Sequence, residues 1–457
     1  MNTTLFLAMF STQTSLFLAI AGGIVVLLYL ILYLRIPAFI SLLIASITAG
    51  LLAGLSGPEI MKTVQDGMAS TLGFVATVVG LGAMFGAILE KSGGAVALAN
   101  FLIKKLGLNN APLSLMMTGF IVAIPVFFDV AFIILIPVIY ALQKQSSKSL
   151  LLYAIPLLSG LAITHSFIPP TPGPVAVADI IGADLGWVIL MGVIAGVPTA
   201  IVSGLFFGKY IAAKIQITAP HAEDSGAEEQ VTFPHIGLVL SIIAVPILLI
   251  LMSTMVKSGL IPVADPDVNN IVALIGHPFF ALILANLLAW YLLGINRGYD
   301  AKTLLDITSK SMAPAGTIIL LTGAGGVFKQ VLVNTNAGTL LAESLTDIGL
   351  PIIGFAFIAA SLVRVIQGSA TVAMITSAGL VAPLLASQDF SGPQLAALVI
   401  AIASGASIFS HVNDSGFWLV KQYLGMTEKQ TFRSWTMMTT ILAFMGFTCS
   451  VLLFMLF

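Results

Sequence analysis

THSFIPPTPGP, residues 164–174, lies in the middle of an apolar run that extends from about 150 to 182. Proline has no amide hydrogen, and its ring drives the residue before it out of the α region, so a helix cannot pass through this stretch. Unwound backbone at membrane depth is tolerated only against protein or a water-filled cavity. A second apolar run, about 394–421, is interrupted in the same way by SHVNDSG, residues 410–416. Two broken helices inside apolar runs predict a transporter, with its binding site at the breaks.

The rest of the chain agrees with a membrane setting. Only 8% of its 457 residues are charged and 58% are hydrophobic, whereas a soluble domain carries roughly 25% charge. The net charge of −1 and the scattered basic residues exclude a nucleic-acid partner. Cys449 is the one cysteine, so the chain forms no internal disulfide and shows no metal-site pattern. No cofactor is expected. There is no GxxxxGK[ST] loop for an ATP-driven pump, and the histidines lack HExxH spacing. The start, MNTTLFLAMF, has no basic n-region and reads as leading into the first span.

A crossing helix needs about 20 apolar residues. Runs near 15–34, 37–55, 70–89, 187–208, 236–255, 270–293, 312–332 and 434–457 qualify. Two longer stretches, about 112–142 and 350–387, break near their centres and read as re-entrant hairpins. The expected fold is an all-α polytopic membrane protein with about ten full spans, two re-entrant hairpins and two broken helices. With the N-terminus outside, Arg35, Lys91, Lys104, Lys105, Lys144, Lys148, Lys209, Lys214, Arg297, Lys302, Lys310, Lys421, Lys429 and Arg433 all fall in the cytoplasm. Only Lys62 and Lys257 fall outside. Lys329 and Arg364 lie within or near the membrane, Lys329 reading as a snorkelling side chain. Both termini are then periplasmic.

The chain repeats itself at an offset of about 243 residues. GLGAMFGAIL (80–89) pairs with GAGGVFKQVL (323–332), DVAF at Asp129 with TVAM at Thr371, and SGLAI at Ser159 with SGASI at Ser404. The expected organisation is a first repeat over 1–214, a cytoplasmic linker over 215–235 containing HAEDSGAEEQ (221–230), and a second repeat over 236–457. Five crossings per half is an odd number, so the halves enter the membrane in opposite senses. That is the inverted-topology repeat of secondary transporters, whose sites form where hairpin tips and broken helices meet.

Four segments should converge there: PVFFDVAF (125–132), THSFIPPTPGP, QGSATVAM (367–374) and SHVNDSG. Asp129 and Asp414 are carboxylates at membrane depth, and such groups mark function or a structural cap. His165 is either a structural histidine or a substrate or proton group. Gly368, Ser369 and Thr371 form a small, hydroxyl-bearing tip, and Asn413, Ser415 and Gly416 repeat that chemistry. Thr171 and Gly173 offer the same at the first break. Arg364 can grip a carboxylate with two parallel bonds, either on substrate or on Asp129 or Asp414.

GLGAMFGAILEKSGGA (80–95), FFDVAFIILIP (127–137), HSFIPPTPGPVAVA (165–178), RVIQGSATVAM (364–374) and SHVNDSGFW (410–418) together resemble the gluconate permease family of bacterial proton symporters, over essentially the full chain. The wider ion-transporter superfamily to which that family belongs places hairpin tips and broken helices in an inverted repeat. The resemblance implies proton-coupled uptake of gluconate or a related sugar acid across the inner membrane by a homodimer, with a small anionic substrate and the lipid bilayer as partners. Sodium is the less favoured coupling ion. Substrate would lie on Thr171, Gly173, Arg364, Gly368, Ser369, Thr371, Asn413 and Ser415, with Asp129, Asp414 and His165 handling the proton. Better-known gluconate carriers similar to this chain have Glu at the Asp129 position and His at the Thr171 position. D-serine and dicarboxylates are alternative cargoes. A passive channel and an intramembrane enzyme using Asp129 and Asp414 are rival readings.

Overall fold

The structure, a computed structural model, describes residues 12–219, 233–257, 260–335, 350–387, 389–411 and 414–457. The N-terminal segment, the 221–230 linker sequence and Asn413 lie outside the described residues. Among the described residues every regular element is helical. The first half contains α1 (Thr12–Leu32), α2 (Ala38–Leu52), α3 (Gly57–Lys91), α4 (Gly94–Leu106), α5 (Ala111–Val122), α6 (Phe128–Ser146), α7 (Leu151–Phe167), α8 (Pro172–Ile181) and α9 (Leu185–Lys214). The second contains α10 (Ile236–Lys257), α11 (Pro266–Ile275), α12 (Pro278–Arg297), α13 (Ala301–Asn334), α14 (Ile352–Gln367), α15 (Ala370–Val381), α16 (Gly392–Ser407), α17 (Ser415–Tyr423) and α18 (Glu428–Leu456).

Both interruptions foreseen in the sequence are present, between α7 and α8 and between α16 and α17. The two long stretches divide into α5–α6 and α14–α15. Of these arms α6 has 19 residues and is long and apolar enough to cross by itself, so the first hairpin has unequal arms rather than two short ones.

The order of elements recurs, and the packing is reciprocal. Helix α2 packs on α13 while α12 packs on α3; α5 packs on α7 while α14 packs on α16; α15 packs on α8 while α17 packs on α6. Each half therefore lends the other the same surfaces, as a two-fold relationship requires. One detail is shared to within a tenth of an ångström. A Cβ at Gly160 would lie 2.3 Å from the Met116 carbonyl oxygen, and a Cβ at Gly405 would lie 2.3 Å from that of Phe357. Only glycine lets each hairpin's first arm approach its broken helix this closely.

Three features differ from the expected spans. Helices α3 and α13 have 35 and 34 residues, which at about 1.5 Å per residue makes them about 50 Å long. That exceeds a hydrocarbon core of about 30 Å, because their polar first turns continue the helix into the aqueous layer, where hydropathy is silent. In α3 that turn is fixed by a capping box: the Ser56 amide donates to Glu59 Oε2 at 2.8 Å and its hydroxyl at 2.7 Å. These bonds hold the Glu59 carboxyl below its ordinary range. The expected span 270–293 is two helices, since Gly276 and His277 precede Pro278, and a proline at the first helical position disrupts any helix running into it. Helix α4, with Lys104 and Lys105 in its last turn, is a separate short helix outside the expected spans.

Cross-links fix the ends. Arg297 Nη1 donates to the Ser92 carbonyl at 2.6 Å, and the Tyr299 hydroxyl donates to that of Lys91 at 3.1 Å. The turns after α3 and α12 therefore share one end of the molecule. At the other end, Asn334 Nδ2 donates to Thr63 Oγ1 at 3.0 Å, so α3 and α13 run antiparallel. Lys329, expected to snorkel, is half-buried and within electrostatic reach of Asp179 on α8.

Candidate functional site

The four broken segments meet around a cavity of about 560 Å³, within the range of about 300–1,000 Å³ that small ligands occupy. The tip where α6 begins contributes Phe127, Phe128 and Asp129, and the tip where α15 begins contributes Gln367 through Thr371. The end of α7 brings His165 and Ser166, and the start of α17 brings Asp414, Ser415 and Gly416. Helices α6, α8, α15 and α17 all begin here. First-turn amides have no acceptor within their own helix, so such ends favour an anion. The two breaks are also tied together, since Ser407 Oγ donates to Ser166 Oγ at 3.1 Å.

The second tip is shaped by Gly368, whose φ of +90° ends α14 in the left-handed region that other residues avoid. Ser369 then caps α15, accepting from the Val372 amide at 3.3 Å. The turn leaves the Gly368 carbonyl facing back, where Arg364 Nη1 donates to it.

Arg364 is buried and pairs through Nη2 with Asp414 Oδ2. Of the three roles open to it in sequence, the structure displays the pairing with Asp414. Its Nε has no acceptor among the described residues. Asp414 also caps α17, accepting from the Gly416 amide at 3.1 Å. Asp129 stands in contrast. It lies in the first turn of α6, exposed to the cavity. Its carboxylate has no hydrogen-bond or ion-pair partner among the described residues. His165 sets its ring edge-on to Phe127, with centroids 6.2 Å apart, and its Nδ1 is buried without a partner among the described residues.

A broken-helix cavity with a paired arginine and an unpaired carboxylate is a carrier's architecture, and sequence comparison supplies the lineage. The profile described as GntP family permease matches residues 15–456. The chain belongs to the GntP permease family. It is 39% identical to the low-affinity gluconate transporter of Escherichia coli (strain K12) over 445 residues, covering 97% of this chain and 99% of that protein. It is 40% identical to a gluconate permease of Pseudomonas aeruginosa over 437 residues, covering 94% and 95%. The inner membrane permease YgbN of E. coli K12 is 38% identical over 449 residues, covering 96% and 98%. In fold, the chain resembles the YdaH transporter of Alcanivorax borkumensis with a TM-score of 0.66 at 14% identity, covering 91% and 97%. This permease is thus a multi-pass membrane protein with a transporter fold.

Not every residue singled out in the sequence faces the permease's cavity. Thr171 is buried beside it, and its hydroxyl donates to the Ile168 carbonyl at 2.6 Å. Gly173 packs on Met374, whose Sδ would lie 2.6 Å from an added Cβ. Arg364, Gly368, Ser369, Thr371, Ser415, Asp129, Asp414 and His165 all line the cavity. Sequence reasoning missed Ser410 and the α18 residues Trp435 and Thr439. Trp435 Nε1 donates to Ser410 Oγ at 2.6 Å, and Ser410 Oγ donates to Asp414. The available signal was RSWT, a polar run opening an otherwise apolar last span.

Proposed function

We propose that this permease carries gluconate or a related sugar-acid monoanion inward across the bacterial inner membrane together with protons, by alternating access of two inverted repeats rather than by catalysis. The observation that carries the reading is the charge of the cavity. Among the described residues, its titratable lining groups are Asp129, Asp414, His165 and Arg364. With both carboxylates ionised and His165 neutral, the lining holds one negative charge. A bound monoanion raises that to two, in a site where charge is costly. One proton taken up with the substrate restores the starting balance.

Substrate carboxylate would be met by the Arg364 Nε edge and the helix starts, and its hydroxyls by Ser369, Thr371 and Ser415. Asn413 is proposed beside them from its place in the sequence, and Thr171 and Gly173 as supports of the first break. A dicarboxylate is less well matched, because Arg364 is the one Arg or Lys among the described lining residues. One proton per monoanion is electroneutral, so membrane potential drives uptake only with a second proton. Periplasmic termini, a homodimer and protons in preference to sodium belong to the same proposal.

The test is uptake of labelled gluconate into proteoliposomes with and without an inward proton gradient. Accumulation that requires the gradient supports the reading. Uptake indifferent to protons but dependent on sodium overturns the coupling, and no uptake by folded protein overturns the cargo. The same vesicles would then be offered D-serine and glycerate.

A further inference from the structure

The two carboxylates of the cavity stand in opposite hydrogen-bonding states. Among the described residues, every polar contact on the Asp414 carboxylate is a donor: Arg364 Nη2 and the Ser410 hydroxyl on Oδ2, and the Gly416 amide on Oδ1 at 3.1 Å. The direction of the Ser410 bond is fixed from behind. An indole N–H only donates, and Trp435 Nε1 lies 2.6 Å from Ser410 Oγ. That oxygen therefore accepts from Trp435 and has its single proton left for Asp414. A proton on Oδ2 would oppose both donors there and strand the Ser410 hydroxyl without an acceptor among the described residues. On Oδ1 only one of the two acceptor sites is taken, by the Gly416 amide, so a proton there weakens that bond without displacing it. Three donors on one carboxylate favour the ionised form of Asp414.

The last span enforces it. Besides Trp435, Thr439 Oγ1 accepts from the Ser410 amide at 3.1 Å, and Thr436 Oγ1 donates to the Ser410 carbonyl at 2.5 Å. All three sit on or just after the π-helical turn Phe432–Thr436, and such turns recur at functional sites. The Trp435 ring also packs on Phe128, the neighbour of Asp129, with centroids 5.5 Å apart.

We infer that Trp435 is a positioning residue for coupling: through Ser410 it fixes Asp414 as the anion that neutralises Arg364, leaving Asp129 as the carboxylate that takes up and releases the transported proton. This rests on the proton-coupled reading above. Among the described residues, the charged and titratable groups that line the cavity with Asp414 are Arg364 from α14, Asp129 from α6 and His165 from α7. His411, on its own segment, is turned to the Val365 carbonyl at 2.9 Å. Donors that satisfy the ionised form favour it, so removing the Trp435–Ser410 bond makes Asp414 easier to protonate.

The test needs no cargo. The carboxylic C=O infrared band of the full-length permease in lipid vesicles is followed as pH falls. In the wild type the band that grows sums over the protonating carboxyls of the chain; one component of it is missing in Asp129→Asn, and Asp414→Asn removes none over the same range. In Trp435→Phe, and independently in Ser410→Ala, a second band emerges that Asp414→Asn removes, with Asp414 titrating at least about one pH unit higher, a tenfold change in proton affinity. The double variant Trp435→Phe/Ser410→Ala shifts it no further. A cooperative melting transition close to that of the wild type shows that each variant is folded. A wild-type band belonging to Asp414 over the range where Asp129 titrates, or an Asp414 titration unmoved in both variants, overturns the inference. Failure of gluconate uptake alone would count against the cargo and leave these bands unaffected.

Discussion

Arg364 and Asp414 are 50 residues apart in sequence and form an ion pair in the cavity wall, joining the second hairpin to the second broken helix. Their side chains are 5% and 14% exposed, so neither charge is relieved by water once its partner is gone. Removing one member of such a pair costs about 3–5 kcal/mol, whereas replacing both with apolar residues is often neutral. Arg364→Ala and Asp414→Ala are each expected to lower the melting temperature in detergent sharply. Arg364→Met/Asp414→Leu should recover much of that stability and still fail to transport. Single variants that melt with the wild type would show that the pair does not hold the tip in place.

Asp129 makes no such contact, and its substitution should separate stability from coupling. Asp129→Asn is expected to melt within a few degrees of the wild type. It should retain gluconate exchange across vesicles with gluconate on both sides while losing accumulation driven by a proton gradient. Accumulation at the wild-type level would remove Asp129 from the coupling step.

The two glycine crossings make a prediction about packing. Gly160→Ala and Gly405→Ala each place a methyl against a backbone carbonyl that cannot yield as a side chain would, at an overpacking cost of about 1–3 kcal/mol. Gly73 lies in the middle of α3 with nothing within 4 Å of an added Cβ, so Gly73→Ala should be neutral or slightly stabilising. Thermal melts of the three variants check this. Equal melting temperatures would mean that the hairpin arms do not approach their broken helices as closely as described.

Much of this was legible in the sequence because prolines and polar residues inside apolar runs have few structural uses. PPTPGP and HVNDSG located both helix breaks, and GSAT located the second tip. Other features left no such trace. The first turns of α3 and α13 are polar, and hydropathy registers only the part of a helix that meets lipid. The hydroxyl of Thr171 points to the Ile168 carbonyl, a choice made by local backbone geometry rather than by residue type. In the sequence nothing separates Trp435 from the tryptophans common at the ends of spans. Only the folded π-turn, which sets Trp435, Thr436 and Thr439 around Ser410, distinguishes it.

Sidedness can be checked by fusing alkaline phosphatase, active only outside the cytoplasm, after Gly54, Ser92, Lys257 and Tyr299. Activity is expected at Gly54 and Lys257 and not at Ser92 and Tyr299. Ser92 and Tyr299 must agree in any case, because Arg297 bonds the Ser92 carbonyl. Disagreement between them would contradict the packing of α12 on α3, and reversal at all four sites would invert the orientation.

The most direct test of symport is to watch the proton itself. Proteoliposomes loaded with a pH-sensitive dye and held at equal pH on both sides would receive external gluconate. Coupled uptake predicts immediate acidification of the lumen, abolished by collapsing the proton gradient with an uncoupler and absent in Asp129→Asn. Labelled gluconate entering at the wild-type rate with no change in luminal pH would contradict proton coupling outright.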